Sequence, residues 1–156
     1  MIQLVPMTDQ EYRIFLDRSI REYAEDKVRA GAWSQTEALA RSRREHRTLL
    51  RDGLRSKYHH LYTIRESDGG EAVGVLWFRA NLDSATPSGF IFDIEIDEPH
   101  RRKGYGREAM QQLEEIARKM GLRGLELHVF AFNEGARTLY ESLGYTVTGL
   151  NMSKRL

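Results

Sequence analysis

Residues 90–121 read FIFDIEIDEPHRRKGYGREAMQQLEEIARKMG, and this stretch decides the fold. Its opening alternates apolar with acidic side chains, which is typical of a strand with one buried face. The apolar face holds Phe90, Phe92, Ile94 and Ile96, and the acidic face holds Asp93, Glu95 and Asp97. Apolar residues then recur at helical spacing before Gly121: Ala109, Met110, Leu113, Ile116, Ala117 and Met120. The stretch predicts a strand, a corner and an amphipathic helix.

The corner carries three consecutive cations, Arg101 to Lys103, followed closely by Gly104 and Gly106. A helix N-terminus is already electropositive, so three cations there are unfavourable unless an anion offsets them. Glycines allow a ligand to approach the backbone closely. A solvated basic turn is the simpler alternative, but the strand before it and the amphipathic helix after it favour a phosphate-binding site.

The type of phosphate ligand needs a separate argument. The segment from Gly104 to Ala109 fits the G-x-G-x-x-A dinucleotide fingerprint, and Glu126 follows about 20 residues later. In that fingerprint the first glycine ends its strand directly, whereas here Pro99 and the basic residues intervene. Too few residues follow Gly106 for a second nucleotide-binding half. A P-loop is excluded because no Gly-Lys-Ser/Thr is present.

Two motifs together resemble the GNAT superfamily of acyl-CoA-dependent N-acyltransferases. The first is Arg101-x-x-Gly104-x-Gly106, between an apolar strand and an amphipathic helix. The second lies within residues 125–145, LELHVFAFNEGARTLYESLGY, and is similar to the family's strand, Asn and Ala-x-x-Leu-Tyr-x-x-x-Gly-Phe/Tyr sequence. The whole chain resembles uncharacterised bacterial GNAT acetyltransferases.

This resemblance implies one GNAT domain over residues 1–156, with an α/β (α+β) fold. We expect a central mixed, mostly antiparallel sheet that contains two splayed parallel strands, flanked by about four helices. Capping boxes at residues 8–11 and 34–37 predict two N-terminal helices. Residues 60–66 and 72–78 predict a hairpin with its turn at 67–71. The tail beyond Tyr145 allows one or two final strands.

The resemblance also implies acetyl-CoA as the co-substrate. Backbone groups near Ile94 to Ile96 are expected to orient the thioester and the pantetheine, and the corner is expected to hold the pyrophosphate. The implied cofactor-binding residues are Ile94, Glu95, Ile96, Arg101, Arg102, Lys103, Gly104, Tyr105, Gly106, Arg107, Asn133 and Tyr140. Asn133 and Tyr140 are seven residues apart, so a helix places both on one face.

The implied catalytic residues are Tyr140, His128 and Glu95. Tyr140 matches the family tyrosine that commonly protonates the departing thiolate. The amine must lose a proton before it attacks the thioester, because only the neutral nitrogen has a free lone pair. His128 is one candidate base by its ordinary pKa, and Glu95, directly or through a water, is the other. The acidic strand face would attract a cationic amine.

Composition limits the remaining options. The chain has 24 basic and 23 acidic residues and a net charge of +1, so nothing draws it globally to nucleic acid or membrane. Arginines on the second helix are mixed with acids, which indicates a solvated face. The absence of cysteine excludes a thiolate nucleophile and a Cys-based metal site. His59 and His60 are expected to be partly exposed strand residues, and we expect no metal.

We therefore expect an acetyl-CoA-dependent N-acetyltransferase that acts by direct attack in a ternary complex. The acceptor is expected to be a small molecule, a peptide or a protein N-terminus. The alternative is a non-catalytic acyl-CoA-binding sensor. No leader or membrane-spanning run is apparent, so we expect a cytoplasmic protein. A homodimer is compatible with the resemblance, because dimers are common in the superfamily.

Overall fold

The computed structural model describes residues 1–67 and 69–156. Five strands form one sheet in the order β1-β2-β3-β4-β5, in which only β4 and β5 are parallel. The strands are β1 (Ile2–Pro6), β2 (His59–Glu66), β3 (Ala72–Asn81), β4 (Ser88–Ile96) and β5 (Gly124–Leu127). The helices are α1 (Asp9–Arg29), α2 (Ala38–Leu49), α3 (Tyr105–Lys119) and α4 (Glu134–Ser142). The predicted mixed, mostly antiparallel sheet with four helices is confirmed.

Apolar residues from both faces of the sheet make two main cores. On one face α3 packs against the sheet, and Met110, Leu113, Ile64, Leu76 and Phe78 are all fully buried there. On the other face Phe15 of α1 packs edge-on against Trp77 of β3, with their ring centroids 6.0 Å apart. Because both faces are covered, the middle strands read as long apolar runs.

The predicted alternation of β4 is wrong in one respect. Trp77 pairs with Asp93 while Phe78 pairs with Ile91, so Phe92 is an extra residue that forms a β-bulge. A bulge shifts the side-chain parity of the strand. Ile94 therefore packs in the α3 core with Ile91, whereas Phe92 lies on the opposite face and stacks on Trp77 at 4.6 Å.

The helix ends follow their local sequence. Thr8 caps α1 by accepting a hydrogen bond from the Glu11 amide at 3.2 Å, as predicted. Gly121 follows α3 with φ +85°, the left-handed conformation expected after a helix end. In the second predicted capping box the Ser34 amide donates to the Glu37 carboxylate, and α2 begins only at Ala38.

The spacing of Leu39, Leu49, Leu50 and Leu54 in the sequence predicts that these residues form the apolar side of α2, and this prediction is partly wrong. Leu39 is exposed, and the helix instead buries Ala38, Ser42 and His46 toward α1. Small and polar residues occupy this face because α1 and α2 lie close together and a hydrogen bond between polar side chains joins the two helices. The prediction missed this face because it counted only large apolar side chains.

The hairpin of β2 and β3 is confirmed by their antiparallel pairing, and Asp68 of its predicted turn lies outside the described residues. The expected exposure of His59 is wrong, because its side chain is buried and its Nδ1 accepts a hydrogen bond from Trp77 Nε1–H at 2.9 Å. Residues 143–156 form no helix or strand, so the final strands that the tail allowed are not formed there. Among the residues that the structure describes, no helix combines the length and apolar character that a bilayer crossing requires.

Candidate active site

A cleft opens where β4 and β5 separate. The two strands pair only from Ser88 to Ile91 of β4, opposite the whole of β5. Beyond Ile91, β4 continues to Ile96, and none of the described strands pairs with it on that side. Its backbone N–H and C=O groups there thus have no strand partner among the described residues. The structure thus shows the splayed parallel pair that the family resemblance implied. The cleft has a volume of about 1230 Å³.

The basic corner forms one end of this cleft. Gly104 precedes α3 with φ +83°, and Arg102 also has a positive φ of +67°. The first helical bond runs from the Glu108 amide to the Gly104 carbonyl at 3.1 Å, which leaves the amides of the first turn without intrahelical partners. A ring of free N–H groups at a helix start is suited to an anion.

The residues of the corner differ in what they contact. Arg101 donates through Nε to the Ile96 carbonyl at 2.8 Å and lies 3.4 Å from Glu95, so it also fixes the end of β4. Arg102 and Arg107 line the cleft as well, and Arg107 donates to Ser142 Oγ at 2.7 Å. Arg102 is the corner arginine for which the described residues show no ion pair or side-chain hydrogen bond.

Three predicted cofactor residues of the corner do not line the cleft. The Tyr105 hydroxyl donates to Glu66 at 2.7 Å, and the Lys103 ammonium lies 5.8 Å from the Tyr105 ring centroid. A Cβ on Gly106 would lie 3.4 Å from Leu139, so this glycine allows α3 and α4 to approach each other. The other nine predicted cofactor residues line the cleft: Ile94, Glu95, Ile96, Arg101, Arg102, Gly104, Arg107, Asn133 and Tyr140.

Tyr140 and Asn133 occupy the wall formed by α4. Burial, and secondarily the negative charge of Asp93, raise the pKa of Tyr140 to about 12. The phenol is therefore protonated at neutral pH and can donate a proton. Asn133 precedes the first turn of α4, and its side chain makes no capping bond there. Its amide is thus free for another partner in the cleft.

His128 lies just beyond β5 and also lines the cleft. Its ring meets Phe130 edge-on, with a centroid separation of 4.9 Å, and its side chain is exposed. The Arg29 guanidinium of α1 lies 4.1 Å from the Phe132 ring centroid. This contact joins α1 to the segment that follows β5.

A cluster of carboxyl groups lies on the side of the cleft opposite α4. Glu22 of α1 lies beside Glu95 of β4. Burial, together with the charge of Glu95 and hydrogen bonding to Glu95 in the protonated form, raises the pKa of Glu22 to about 7. Burial, together with the charges of Glu95 and Glu22, raises the pKa of Asp93 to about 7. Burial also raises the pKa of Asp26, one turn further along α1.

Two features position this cluster. Arg18 of α1 donates to Asp97 at 3.1 Å, which ties the helix to the end of β4. Between α1 and α2, the His46 Nδ1–H donates to the Ser42 carbonyl at 2.9 Å. The Nε2 atom of the same ring therefore accepts a hydrogen bond from the Ser19 hydroxyl, also at 2.9 Å. Ser19 and His46 are buried, and their bond is the polar link between α1 and α2.

The sequence predicts Tyr140, His128 and Glu95 as catalytic residues, and all three line one cleft. It did not predict that Glu22 and Asp26 of α1 also line this cleft. A signal exists in the spacing of Arg18, Glu22 and Asp26, since residues four apart share a helix face. The spacing alone does not predict that this face of α1 covers β4. No group of three His, Asp or Glu side chains within residues 1–67 and 69–156 is arranged to hold a metal ion.

A sheet with two separating parallel strands, a cationic helix start and a tyrosine on the wall formed by α4 are features of the GNAT fold. Residues 20–145 match the model of the acetyltransferase (GNAT) family, and the chain belongs to that family. The chain is 41% identical to YycN of Bacillus subtilis, called an uncharacterized N-acetyltransferase, over 99% of each chain. The solved structure of YycN superposes with a TM-score of 0.95, at 40% identity, over 100% of this chain and 99% of that one.

A more distant relative has a named acceptor. The [ribosomal protein bS18]-alanine N-acetyltransferase of Escherichia coli is 41% identical over 64 residues, which are 41% of this chain and 40% of that protein. The similarity to this enzyme therefore concerns less than half of either chain.

Proposed function

We propose that this protein transfers the acetyl group of acetyl-CoA to a cationic primary amine, by direct attack within a ternary complex. One observation carries the proposal: the protonated Tyr140 phenol and the Glu22, Asp93 and Glu95 carboxyl cluster line the same cleft. A group that can donate a proton and groups that can accept one are both needed for acyl transfer from a thioester to an ammonium.

In this proposal the corner binds the pyrophosphate of CoA. The first-turn amides of α3 and the Arg102 guanidinium supply donors and positive charge. The pantetheine arm then lies along the strand edge of β4 beyond Ile91, where backbone groups have no strand partner. Asn133 is free to bind an amide of the arm from the other wall.

The chemistry follows from the protonation states. The carboxyl cluster takes a proton from the ammonium, directly or through water, and the free amine attacks the thioester carbonyl carbon. The C–S bond breaks, and Tyr140 protonates the departing thiolate. The attacking nitrogen then releases its second proton, which returns to the Tyr140 phenolate directly or through water. Carboxyls with pKa values near 7 suit this exchange at neutral pH, because they are neither fully charged nor fully protonated. His128 remains the alternative base.

The acceptor is a primary amine of a small molecule, a peptide or a protein N-terminus. The carboxyl cluster favours acceptors that stay positively charged until they reach the site. The relative named for alanine of ribosomal protein bS18 supports a protein acceptor among these classes. We propose a cytoplasmic location, where acetyl-CoA would be available to the enzyme.

The test is release of free CoA thiol from acetyl-CoA over a panel of amines, with CoA binding measured in parallel by calorimetry. We expect saturable CoA binding, and turnover with at least one amine. Tyr140→Phe should lower kcat about 100-fold or more while the Kd for CoA stays within about twofold. Tyr145→Phe is the matched control, since Tyr145 packs edge-on against Tyr140 but does not line the cleft.

The outcomes separate the alternatives. Tight CoA binding without turnover on any amine would favour the sensor, and NADH binding without CoA binding would favour a dinucleotide site. Full activity of Tyr140→Phe would remove the tyrosine from the chemistry and leave the acyltransferase assignment intact.

A further inference from the structure

The charged residues that line the cleft are sorted by the elements that carry them. Arginines lie at the corner, where the proposed function places the pyrophosphate of CoA: Arg101, Arg102 and Arg107. Carboxyl groups lie where α1 faces β4: Glu22, Glu25, Asp26, Asp93 and Glu95. The phosphates of CoA account for the arginines, but like charges repel, so they do not account for the carboxyl groups. The carboxyl side is therefore suited to a positively charged ligand.

Two of these carboxyl groups already have a cation beside them. The Arg18 guanidinium lies 3.9 Å from Glu22, although it lies closer to Asp97, at 3.1 Å. Arg101 lies 3.4 Å from Glu95. The remaining carboxyl groups of the cleft are those with which a ligand can pair.

Asp93 is the first of them. Within residues 1–67 and 69–156 its side chain forms no ion pair and no hydrogen bond. Burial is the main cause of its raised pKa, so the carboxyl lies deep in the cleft. Its charge also raises the pKa of Tyr140, so it faces the same space as that phenol. A buried carboxylate without a partner is unfavourable, and a cation in the cleft would remove that cost.

Asp26 is the second carboxyl group without an ion pair among the described residues. It lies one turn after Glu22 on α1 and lines the same cleft. The charge of Arg29 lowers its pKa, but burial has the larger effect and the pKa is raised. Arg29 itself packs on the Phe132 ring. Asp26 thus forms a second negative position, roughly 6 Å along α1 from Glu22.

Lys27 also lines the cleft and is the next residue after Asp26 in the sequence. Consecutive residues of a helix do not face each other. The Lys27 Nζ lies 5.5 Å from the Tyr23 ring centroid and 5.4 Å from that of Trp33, so its charge packs against these two rings. Lys27 therefore leaves the Asp26 carboxyl available to a ligand.

We infer that the acceptor carries two cationic groups: the amine that is acetylated, which Asp93 binds, and a second cation about one helical turn away, which Asp26 binds. This inference rests on the proposed function and narrows its class of acceptor. An acceptor with one charge would leave one of the two carboxyl groups unpaired. A small diamine presents this chemistry, and so does a peptide whose N-terminal residue is followed by a lysine.

The first test is calorimetric binding to the protein saturated with CoA. One arm compares diaminobutane with butylamine, which has the same carbon chain and one charge. The other arm compares the alanyl-lysine amide with the alanyl-norleucine amide, which differs by the side-chain ammonium. In at least one arm we expect the Kd of the dication to be about tenfold lower or more.

The second test assigns the preference to Asp26. Asp26→Asn keeps the shape of the side chain and removes its charge, so the ratio of the two Kd values should fall about fivefold or more. Asp26→Glu keeps the charge and should retain most of the ratio. Asp17→Asn is the matched control, since Asp17 is an exposed carboxylate of α1 that pairs with Arg21 outside the cleft. It should retain the whole ratio.

The outcomes separate this inference from the proposed function. Equal Kd values for dication and monocation in both arms, or a preference that survives in Asp26→Asn, would overturn the inference. Acetyl transfer to butylamine as efficient as that to diaminobutane, with the same equality in the peptide arm, would do so while leaving the proposed function intact. Tighter binding of a dication without any acetyl transfer would support the second cation site and remove the proposed activity.

Discussion

At the scale of single residues, the environment separates proton donors from proton acceptors. Burial and the nearby Asp93 charge keep the Tyr140 phenol protonated, with a pKa of about 12. Burial and the charge of nearby Glu95 bring the pKa values of Glu22 and Asp93 up to about 7. These groups lie in one cleft, and the pKa of the phenol is about five units above those of the two carboxyls. Burial raises the pKa of both kinds of group, but the ordinary pKa of a phenol is much higher than that of a carboxyl.

Glu22→Gln tests the carboxyl cluster. The change removes a negative charge that raises the pKa of Asp93, so the pKa of Asp93 should fall. If this cluster accepts the proton, the acid limb of the kcat/KM profile should move to lower pH by up to about one unit. The measurement is the pH profile of thiol release with one amine.

The matched control for this profile is Asp17→Asn, because Asp17 is an exposed carboxylate of the same helix, paired with Arg21. It should leave the acid limb in place. An acid limb that is unmoved in Glu22→Gln but lost in His128→Gln would identify His128 as the base.

At the scale of elements, close contact between β3 and β4 sets the shape of the cleft. The bulge at Phe92 rotates the second half of β4, so that Glu95 faces α1 while Ile94 and Ile96 stay in the α3 core. Opposite this part of β4, Gly74 of β3 pairs with Ile96. A Cβ at Gly74 would meet the backbone carbonyl oxygen of Glu95, so only glycine allows the two strands to lie this close.

Gly74→Ala should therefore destabilise the fold and distort the cleft together. The methyl group would collide with backbone, which cannot rotate away, and we expect a loss of about 1–3 kcal/mol in the free energy of unfolding. Urea unfolding measures this loss, and kcat should fall with it, since Glu95 would move.

The control for this variant is Gly135→Ala. No atom lies within 4 Å of a Cβ there, and alanine favours the helix. This substitution should be neutral or slightly stabilising. Equal stability of Gly74→Ala and wild type would show that the strands can separate at no cost.

At the scale of the whole molecule, one sheet separates two cores, and the core on the α1 and α2 side contains histidines. The His59 ring packs at a tilt against Phe92 and Trp77. Burial, followed by the charges of Arg79 and His60, lowers its pKa to about 4. Its Nδ1 must be unprotonated to accept the Trp77 bond. Burial also lowers the pKa of His46, which joins α1 to α2. Neutral imidazoles are thus part of this core.

The stability of the fold should depend on pH through His59. Its folded pKa lies below its ordinary value of about 6.5, so its contribution is complete above pH 6.5 and is lost as the pH falls toward 4. His59→Asn keeps an acceptor but does not titrate. The difference in unfolding free energy between wild type and His59→Asn should shrink by on the order of 2–3 kcal/mol between pH 7 and pH 4.

This comparison is needed because the raised pKa values of Glu22 and Asp93 act in the opposite direction, favouring the folded state at low pH. Both proteins contain Glu22 and Asp93, so the effect of these carboxyls cancels in the difference between wild type and His59→Asn. A difference that stays constant over this pH range would mean that His59 takes up its proton as readily in the folded protein as in the unfolded chain.

Local patterns predicted much of the architecture. The Thr8 cap, the helical stripe of α3 and the Gly121 helix end all depend on residues within a few positions of each other, so the sequence carries them directly. The bulge at Phe92 was not predicted, because it depends on how β4 pairs with β3. The polar face of α2 was missed for the same kind of reason, since it depends on the contact with α1.

The sequence by itself determined the strand and helix that form the corner, the order of the two family motifs and the residues Tyr140, Asn133 and Arg101. The strand and the helix follow from spacing along the chain, because backbone geometry converts fixed spacing into fixed direction. The three residues follow from the resemblance of the two motifs to the family. Only the tertiary structure brought Glu22 of α1 to Glu95 of β4. Contacts between distant segments, and the pKa values that burial shifts there, depend on packing that no local pattern encodes.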